Sequence, residues 1–145
     1  MSISLTVYGE PQALKRHRSH LVETKDGRKF NVEYDPSKKD KKNFLYAAIY
    51  DNKPECPFEG PIETVMVFYM PRPKNHYGTG KNSGILKKIV DFFHWKKPDG
   101  DNLQKFVWDA LNGIYWKDDS QIAKWSGMKL YTDLQPRTEI VISQL

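Results

Sequence analysis

The chain has 145 residues, of which 39% are hydrophobic and 28% are charged, and its formal net charge is +5. This composition excludes a disordered chain, and the length fits one domain over residues 1–145. No apolar stretch is long enough to cross a membrane, and the N-terminal residues lack the features of a signal peptide. The single Cys56 excludes an internal disulfide and fits a reducing compartment. We therefore expect a cytoplasmic protein of a bacterium or a phage-infected cell, with no membrane partner.

Periodicity predicts the elements of the first third of the chain. Apolar residues alternate with polar ones over residues 2–8, which indicates a strand. The dipeptide Asp26-Gly27 is typical of a tight turn, so residues 19–24 and 28–33 are predicted to pair as a β-hairpin. Residues 38–51 then carry an apolar pattern that predicts a helix packed on a sheet.

A basic cluster precedes the predicted hairpin, and a buried strand follows the predicted helix. The cluster consists of Lys15, Arg16 and Arg18, which either contact a nucleic-acid backbone or are simply exposed. Residues 61–70 begin with alternation and end in a continuous apolar run, which is typical of a central strand.

Positive charge accumulates just after that strand. Residues 71–97 contain one acid and seven basic residues: Arg72, Lys74, Lys81, Lys87, Lys88, Lys96 and Lys97. Such a segment suits the DNA backbone, although a flexible solvated loop explains the same charges. Within it, apolar spacing predicts a short helix over 85–93.

An amphipathic helix is predicted over about 101–112. The apolar residues Leu103, Phe106, Val107, Ala110 and Leu111 follow the spacing of one buried helix face. Asp101 is a suitable N-cap, with Gln104 in the position that completes a capping box. The dipeptide Asn112-Gly113 is a stop signal.

Acidic residues flank this helix and predict a metal site. Lys105 follows Asp101 by one helical turn, and Asp99 lies two residues before Asp101. The seven residues from Gly113 to Asp119 can span roughly 23 Å if they are extended, which is enough to bring Asp118 or Asp119 back beside the helix start. Converging carboxylates need a cation, and ligands that are all oxygen favour Mg²⁺ or Mn²⁺. A hard ion beside a lysine and a helix N-terminus suits phosphate chemistry.

A simpler interpretation of the same residues remains open. Asp101 can serve only as a cap, Asp99 and Asp118 can be solvated loop charges, and Lys105 can be an ordinary exposed helix residue. The combined spacing favours the metal site over this alternative.

The last third of the chain predicts two strands. Residues 122–131 and 137–144 both alternate, and we expect them to pair antiparallel with each other. Together with the earlier elements they predict an α/β (α+β) fold, in which a mixed sheet is covered on one face by two main helices in a two-layer sandwich.

The motifs around the central helix resemble those of the RusA family of Holliday junction resolvases. The resemblance covers residues 98–122 and rests on Asp99-x-Asp101-Asn102-Leu103-x-Lys105, Asp109-Ala110-Leu111-Asn112-Gly113 and Trp116-x-Asp118-Asp119. The flanking Lys96-Lys97-Pro98 and Pro136-Arg137-Thr138-Glu139 segments are similar to those of phage-type members. Gly100 departs from the family, which often has an aliphatic residue there.

The resemblance implies a Mg²⁺-dependent endonuclease that acts on four-way or branched DNA as a homodimer. It implies that Asp99, Asp101 and Asp119 bind the metal and that Lys105 is essential. For the proposed reaction we also expect Asn102 to orient a ligand or a water molecule and Asp118 to support the ligands. Two alternatives stay open: a branched-DNA-binding module without catalysis, and a nuclease for other branched or single-stranded DNA.

Overall fold

The computed structural model describes all 145 residues. In chain order, the strands and helices are β1 (Ser2–Tyr8), β2 (Arg18–Glu23), β3 (Lys29–Tyr34), α1 (Lys38–Asp51), β4 (Ile62–Pro71), α2 (Gly100–Leu111), β5 (Ile122–Thr132) and β6 (Arg137–Gln144). The fold is α+β, as the sequence predicts. No helix is long and apolar enough to span a membrane.

The main sheet has the strand order β1-β6-β4-β5. Strand β6 is antiparallel to both of its neighbours, and β5 lies at the edge, parallel to β4. The prediction that residues 122–131 and 137–144 pair with each other is therefore wrong, because β4 lies between these two strands. Residues 133–136 cross the end of β4 and do not form a hairpin turn, since Thr132 pairs with Pro71 and Arg137 pairs with Tyr69.

Both long helices cover one face of this sheet. Alternate residues of β1, β4 and β6 are buried beneath them, including Leu5, Met66 and Ile140. The helices also contact each other, with the rings of Phe44 and Phe106 packed edge to face at 5.6 Å between centroids. The predicted two-layer arrangement is confirmed.

The predicted hairpin is also confirmed, as a separate two-stranded sheet of β2 and β3. Its turn contains Gly27 at φ = 83°, a backbone conformation that glycine adopts without steric cost. Most side chains of the hairpin are exposed, because it lies outside the main sheet.

Residues 72–99 contain no α-helix, so the predicted helix over 85–93 is wrong. Ile85 and Ile89 are 60% and 95% exposed, so these apolar residues pack against no surface that would stabilise a helix. The end of this segment instead pairs with the outer edge of β5: Tyr131 N donates to Phe92 O at 3.0 Å, and His94 N donates to Lys129 O at 3.0 Å. This pairing brings the segment to the start of α2.

Candidate functional site

Helix α2 begins two residues earlier than the predicted N-cap, Asp101, requires. It starts at Gly100 and its N-cap is Asp99, whose side chain makes no capping hydrogen bond. The first turn is closed when Leu103 N donates to Asp99 O at 3.1 Å. Asp101 therefore lies inside the first turn and is not the N-cap, and Gln104 completes no capping box. The extended geometry that would align Asp99 with Asp101 is also absent, because Gly100 and Asp101 are helical.

Three charged side chains at the start of α2 are exposed and have no bonding partner in the protein. Asp99, Asp101 and Lys105 form no hydrogen bond and no ion pair through their side chains. Asn102 is half-buried, and its carbonyl accepts a hydrogen bond from Leu14 N at 2.9 Å. The two carboxylates lie where the helix dipole favours negative charge and are free to bind a ligand.

The backbone that leads into this end is held by a lysine of β5. The ammonium group of Lys129 donates to Lys96 O at 2.7 Å and to Pro98 O at 2.8 Å. Because Pro98 directly precedes Asp99, this contact fixes the approach of the chain to the first carboxylate. Sequence reasoning missed Lys129, since nothing in a strand lysine indicates that it will bind a loop 31 residues earlier.

The acids at the other end of α2 are held differently. Trp116 is fully buried, and its indole Nε1 donates to Asp119 Oδ1 at 2.8 Å. Asp118 caps a short 3₁₀ turn, Asp119–Gln121, and accepts a hydrogen bond from Ser120 N at 2.8 Å. The neighbouring Tyr115 is buried too, and burial raises its pKa to about 12.

The pKa values of the two neighbouring aspartates are shifted in opposite directions. Burial raises the pKa of Asp119, and the negative charges of Asp109 and Asp118 raise it further against the opposing hydrogen bond from Trp116. The hydrogen bonds from Ser120 lower the pKa of Asp118. The Asp119 carboxylate thus lacks a positive partner within its own chain.

The predicted convergence of Asp99, Asp101 and Asp119 does not occur within one chain. No three His, Cys, Asp or Glu side chains lie close enough together to hold a metal ion. Asp119 instead lies near Asp109, which is eight residues beyond Asp101 and so about 12 Å further along the helix axis.

A tight turn after α2 explains this separation. Gly113 N donates to Trp116 O at 2.8 Å, and Tyr115 N donates to Leu111 O at 3.0 Å. Residues 113–116 therefore fold beneath the helix end, whereas the prediction assumed an extended return. Only β5 runs back along α2, where Gly127 lies against Gln104.

The predicted DNA-binding residues fall into two groups. Arg72 is half-buried, with its guanidinium over the Tyr131 ring and a hydrogen bond to Asp91 O at 2.8 Å, and Lys15 pairs with Asp40 at 3.5 Å. The remaining basic residues are exposed and form no ion pair: Arg16, Arg18, Lys74, Lys81, Lys87, Lys88, Lys96 and Lys97. Their contact with DNA stays a prediction.

The donor chemistry at the start of α2 fits a hard divalent cation. Asp99 and Asp101 offer only oxygen atoms, and Mg²⁺ is commonly held by one or two carboxylates with water and substrate phosphates completing its coordination. The exposed Lys105 adds a positive group that phosphate would bind. One chain thus supplies a pair of carboxylates, with its third predicted ligand, Asp119, at the opposite end of the helix.

Comparison with known proteins agrees with this arrangement of motifs. The family model for the endodeoxyribonuclease RusA matches residues 9–143. The chain is also 33% identical over 149 aligned residues to the uncharacterised protein YqaN of Bacillus subtilis (strain 168), with 99% of this chain and 96% of that protein covered. The residues matched by the family model include both ends of α2 and the strands β4 and β5. This chain belongs to the RusA family of endodeoxyribonucleases, which are Holliday junction resolvases.

Proposed function

We propose that this protein resolves four-way DNA junctions by paired symmetric nicks in a Mg²⁺-dependent reaction. The observation that carries the proposal is the set of exposed, unpaired groups at the start of α2, namely Asp99, Asp101 and Lys105, in a chain of the RusA family. A module that only binds DNA has no need to keep two carboxylates unpaired beside a phosphate-binding surface, where they repel the DNA.

The residues at the start of α2 would divide the chemistry between them. Asp99 and Asp101 would hold Mg²⁺, with Mn²⁺ as a substitute, and the bound ion would activate a water molecule and neutralise charge on the scissile phosphate. Lys105 would bind the phosphate and stabilise the negative charge that grows on it during hydrolysis. Asn102 lies between these residues and would orient a ligand or a water molecule.

The third ligand would come from a second copy of the chain. Asp119 lies near Asp109, at the opposite end of α2 from Asp101 of its own chain, and its carboxylate has no cationic partner there. In a two-fold homodimer, Asp119 of each chain can approach Asp99 and Asp101 of the other. Such a dimer also has two equivalent sites, which two symmetric cuts require. Asp118 would support Asp119 through the turn that it caps.

Exposed basic residues near this site would bind the DNA backbone. Six lysines between Lys74 and Lys97 lie on the segment that leads into α2, and Arg16 and Arg18 lie at the start of the hairpin. Contacts of this type give affinity that falls as salt concentration rises.

Cleavage of synthetic junctions tests the proposal. The protein should cut a four-way junction in Mg²⁺ or Mn²⁺ and leave it intact with EDTA, and Asp101→Asn should bind the junction but not cut it. Flaps, forks and single strands at the same salt concentration test the alternative substrates. Faster cleavage of one of these would reassign the substrate, and cutting in EDTA or by Asp101→Asn at the wild-type rate would overturn the metal assignment.

A further inference from the structure

A cavity of about 350 Å³ opens beside the start of α2. It lies between the first turns of the helix, the outer side of β5 and the segment at Phe93 and His94. Its volume is at the lower end of the range for small-molecule sites. Gln104, which lines it, is three residues beyond Asp101 and so about 4.5 Å further along the helix axis.

The cavity wall combines an exposed ring, a thioether and a free amide. Phe93 and Met128 line it and are 58% and 43% exposed. The side-chain amide of Gln104 has no hydrogen-bond partner in the protein, and His94 Nδ1 is buried without one. No acidic residue lines the cavity, and the ammonium of Lys129 is already bound to two carbonyls.

Gly127 keeps the space in front of the Gln104 amide open. A Cβ atom built on Gly127 would lie 3.3 Å from Gln104 Oε1, closer than an ordinary contact. A side chain at this position would crowd the Gln104 amide and reduce the space in the cavity. The cavity therefore offers the exposed side chains of Phe93 and Met128 beside an amide donor and acceptor that have no partner in the protein.

We propose that this cavity binds a single unstacked nucleobase next to the scissile phosphate. Phe93 stacks on the face of the base, and the Gln104 amide hydrogen-bonds to its edge, as glutamine does with base edges elsewhere. This inference rests on the proposed nuclease function. Extraction of a base costs least where pairing is already broken, so the cavity favours a branch point over intact duplex.

The first test combines base removal with side-chain removal. An abasic nucleotide is placed in turn at each position within two nucleotides of the cut, in a junction with the strand otherwise unchanged. At one position it should slow wild-type cleavage about tenfold, as expected from the loss of one base–aromatic stack. Phe93→Ala should slow cleavage of the normal junction by about the same factor and lose most of its sensitivity to the abasic nucleotide, because both changes remove one contact.

Matched variants separate this effect from general damage. Tyr50→Ala removes an aromatic ring of α1 that is 94% exposed and does not line the cavity, and it should retain the wild-type abasic profile. Gln104→Ala should reduce the rate differences among the four bases at the sensitive position to within about twofold, whereas Gln135→Ala in the β5–β6 connection should preserve them. The proposal would be overturned if an abasic nucleotide at every scanned position left the wild-type cleavage rate unchanged. It would also be overturned if Phe93→Ala and the abasic nucleotide slowed cleavage independently, so that their two rate reductions multiplied.

A binding readout keeps the cavity testable without cleavage. The Asp101→Asn variant is bound in Mg²⁺ to junctions that carry 2-aminopurine at the scanned positions, and one position should show a fluorescence change that is lost when Phe93→Ala is added. If wild-type protein cuts no junction, the nuclease proposal fails, and this signal still decides whether the cavity binds a base. The absence of any Phe93-dependent signal would refute the cavity assignment even where cleavage is normal.

Discussion

Acidic residues lie at both ends of α2, but the two groups differ in exposure and in bonding partners. At the start, Asp99 and Asp101 are exposed and have no partner. At the end, Asp119 is half-buried and bonded to a buried tryptophan, and Asp109 lies 3.5 Å from the ammonium of Lys41. One end is open to a ligand, whereas the other is built into the core.

This difference indicates how the site is assembled. The open end has the positive helix dipole, the exposed Lys105 and the adjacent cavity, so it suits DNA and metal. The closed end holds Asp119 rigidly, as expected of a ligand that must be presented to another molecule in a fixed orientation. Under the proposed function, a single chain carries two halves of a site at opposite ends of one helix, and a homodimer would join them.

The largest expected effect is the loss and recovery of cleavage in mixed dimers. Asp101→Asn and Asp119→Asn should each reduce cleavage by about 10³-fold, because metal assistance contributes several kcal/mol and each 1.36 kcal/mol is tenfold in rate. A heterodimer that pairs one variant chain with the other has one site with both changes and one intact site. Purified with two different tags, it should nick a single strand of the junction.

Asp133→Asn is the matched control, since Asp133 is exposed in the β5–β6 connection and has no partner. It should cut both strands at the wild-type rate, alone or in any mixed dimer. A heterodimer of Asp101→Asn and Asp119→Asn chains that stays as inactive as its parents would show that each site draws its ligands from one chain.

The next effect concerns the open end alone. Lys105→Met should lower the cleavage rate about 100-fold, the loss typical of one group that stabilises developing charge, and should change junction affinity by less than about threefold. Single-turnover cleavage and binding titrations separate these quantities. Lys53→Met removes the same charge from an exposed loop after α1 that is not part of the proposed site, and it should alter neither. Equal losses in rate and affinity for Lys105→Met would make it an ordinary backbone contact.

The sequence predicts the open end well because its residues are close along the chain. Apolar spacing fixes the buried face of α2, and Asp99, Asp101 and Lys105 then lie within two turns of each other whatever the rest of the fold does. The same local reasoning finds the hairpin, α1 and the central strand β4. Even here the detailed start of α2 differs, because the cap position depends on how Lys129 holds the preceding backbone.

The closed end could not be predicted because its geometry depends on distant contacts. The position of Asp119 follows from the compact turn after Leu111 and from the packing of Trp116 beside Phe58, a strand contact more than 50 residues apart in sequence. The position of β5 in the sheet likewise depends on a distant strand, because β5 pairs with β4 and not with β6, the next strand in the sequence. The helix predicted over 85–93 is absent because its apolar residues find no core.

A smaller effect is expected from the loss of Lys129, which holds the backbone before Asp99. Lys129→Met removes the hydrogen bonds to Lys96 O and Pro98 O, so Asp99 should lose its fixed approach. Changes that disturb the support of metal ligands typically weaken binding by 10- to 100-fold, and we expect the Mg²⁺ concentration for half-maximal cleavage to rise about tenfold, with partial recovery in Lys129→Arg. Lys124→Met changes a lysine on the same strand as Lys129 and breaks its ion pair with Glu63 of β4, and it should leave that concentration unchanged. A purely structural role would lower stability without shifting the Mg²⁺ dependence.

The smallest effect is a pH-dependent difference in stability at the closed end. The pKa of Asp119 is raised chiefly by burial, so the folded state binds its proton more tightly than the unfolded state does. Its stabilising contribution is present below about pH 4 and is lost as the pH rises through the folded-state pKa. In EDTA at neutral pH, Asp119→Asn should therefore melt about 1–4 °C above the wild type, with no difference at pH 3.

Its neighbour should behave in the opposite sense. The pKa of Asp118 is lowered by the hydrogen bonds from Ser120, so its charged form stabilises the fold above about pH 4, and this contribution is lost as the pH falls through the folded-state pKa. Asp118→Asn should therefore melt slightly below the wild type at neutral pH. Thermal denaturation across pH 3–8 measures both variants. Added Mg²⁺ should raise the melting temperature of the wild type more than that of Asp119→Asn, because the variant keeps only two of the three proposed ligands and binds the ion more weakly. An equal response of the two proteins to Mg²⁺ would remove Asp119 from the metal site and leave the closed end with a structural role only.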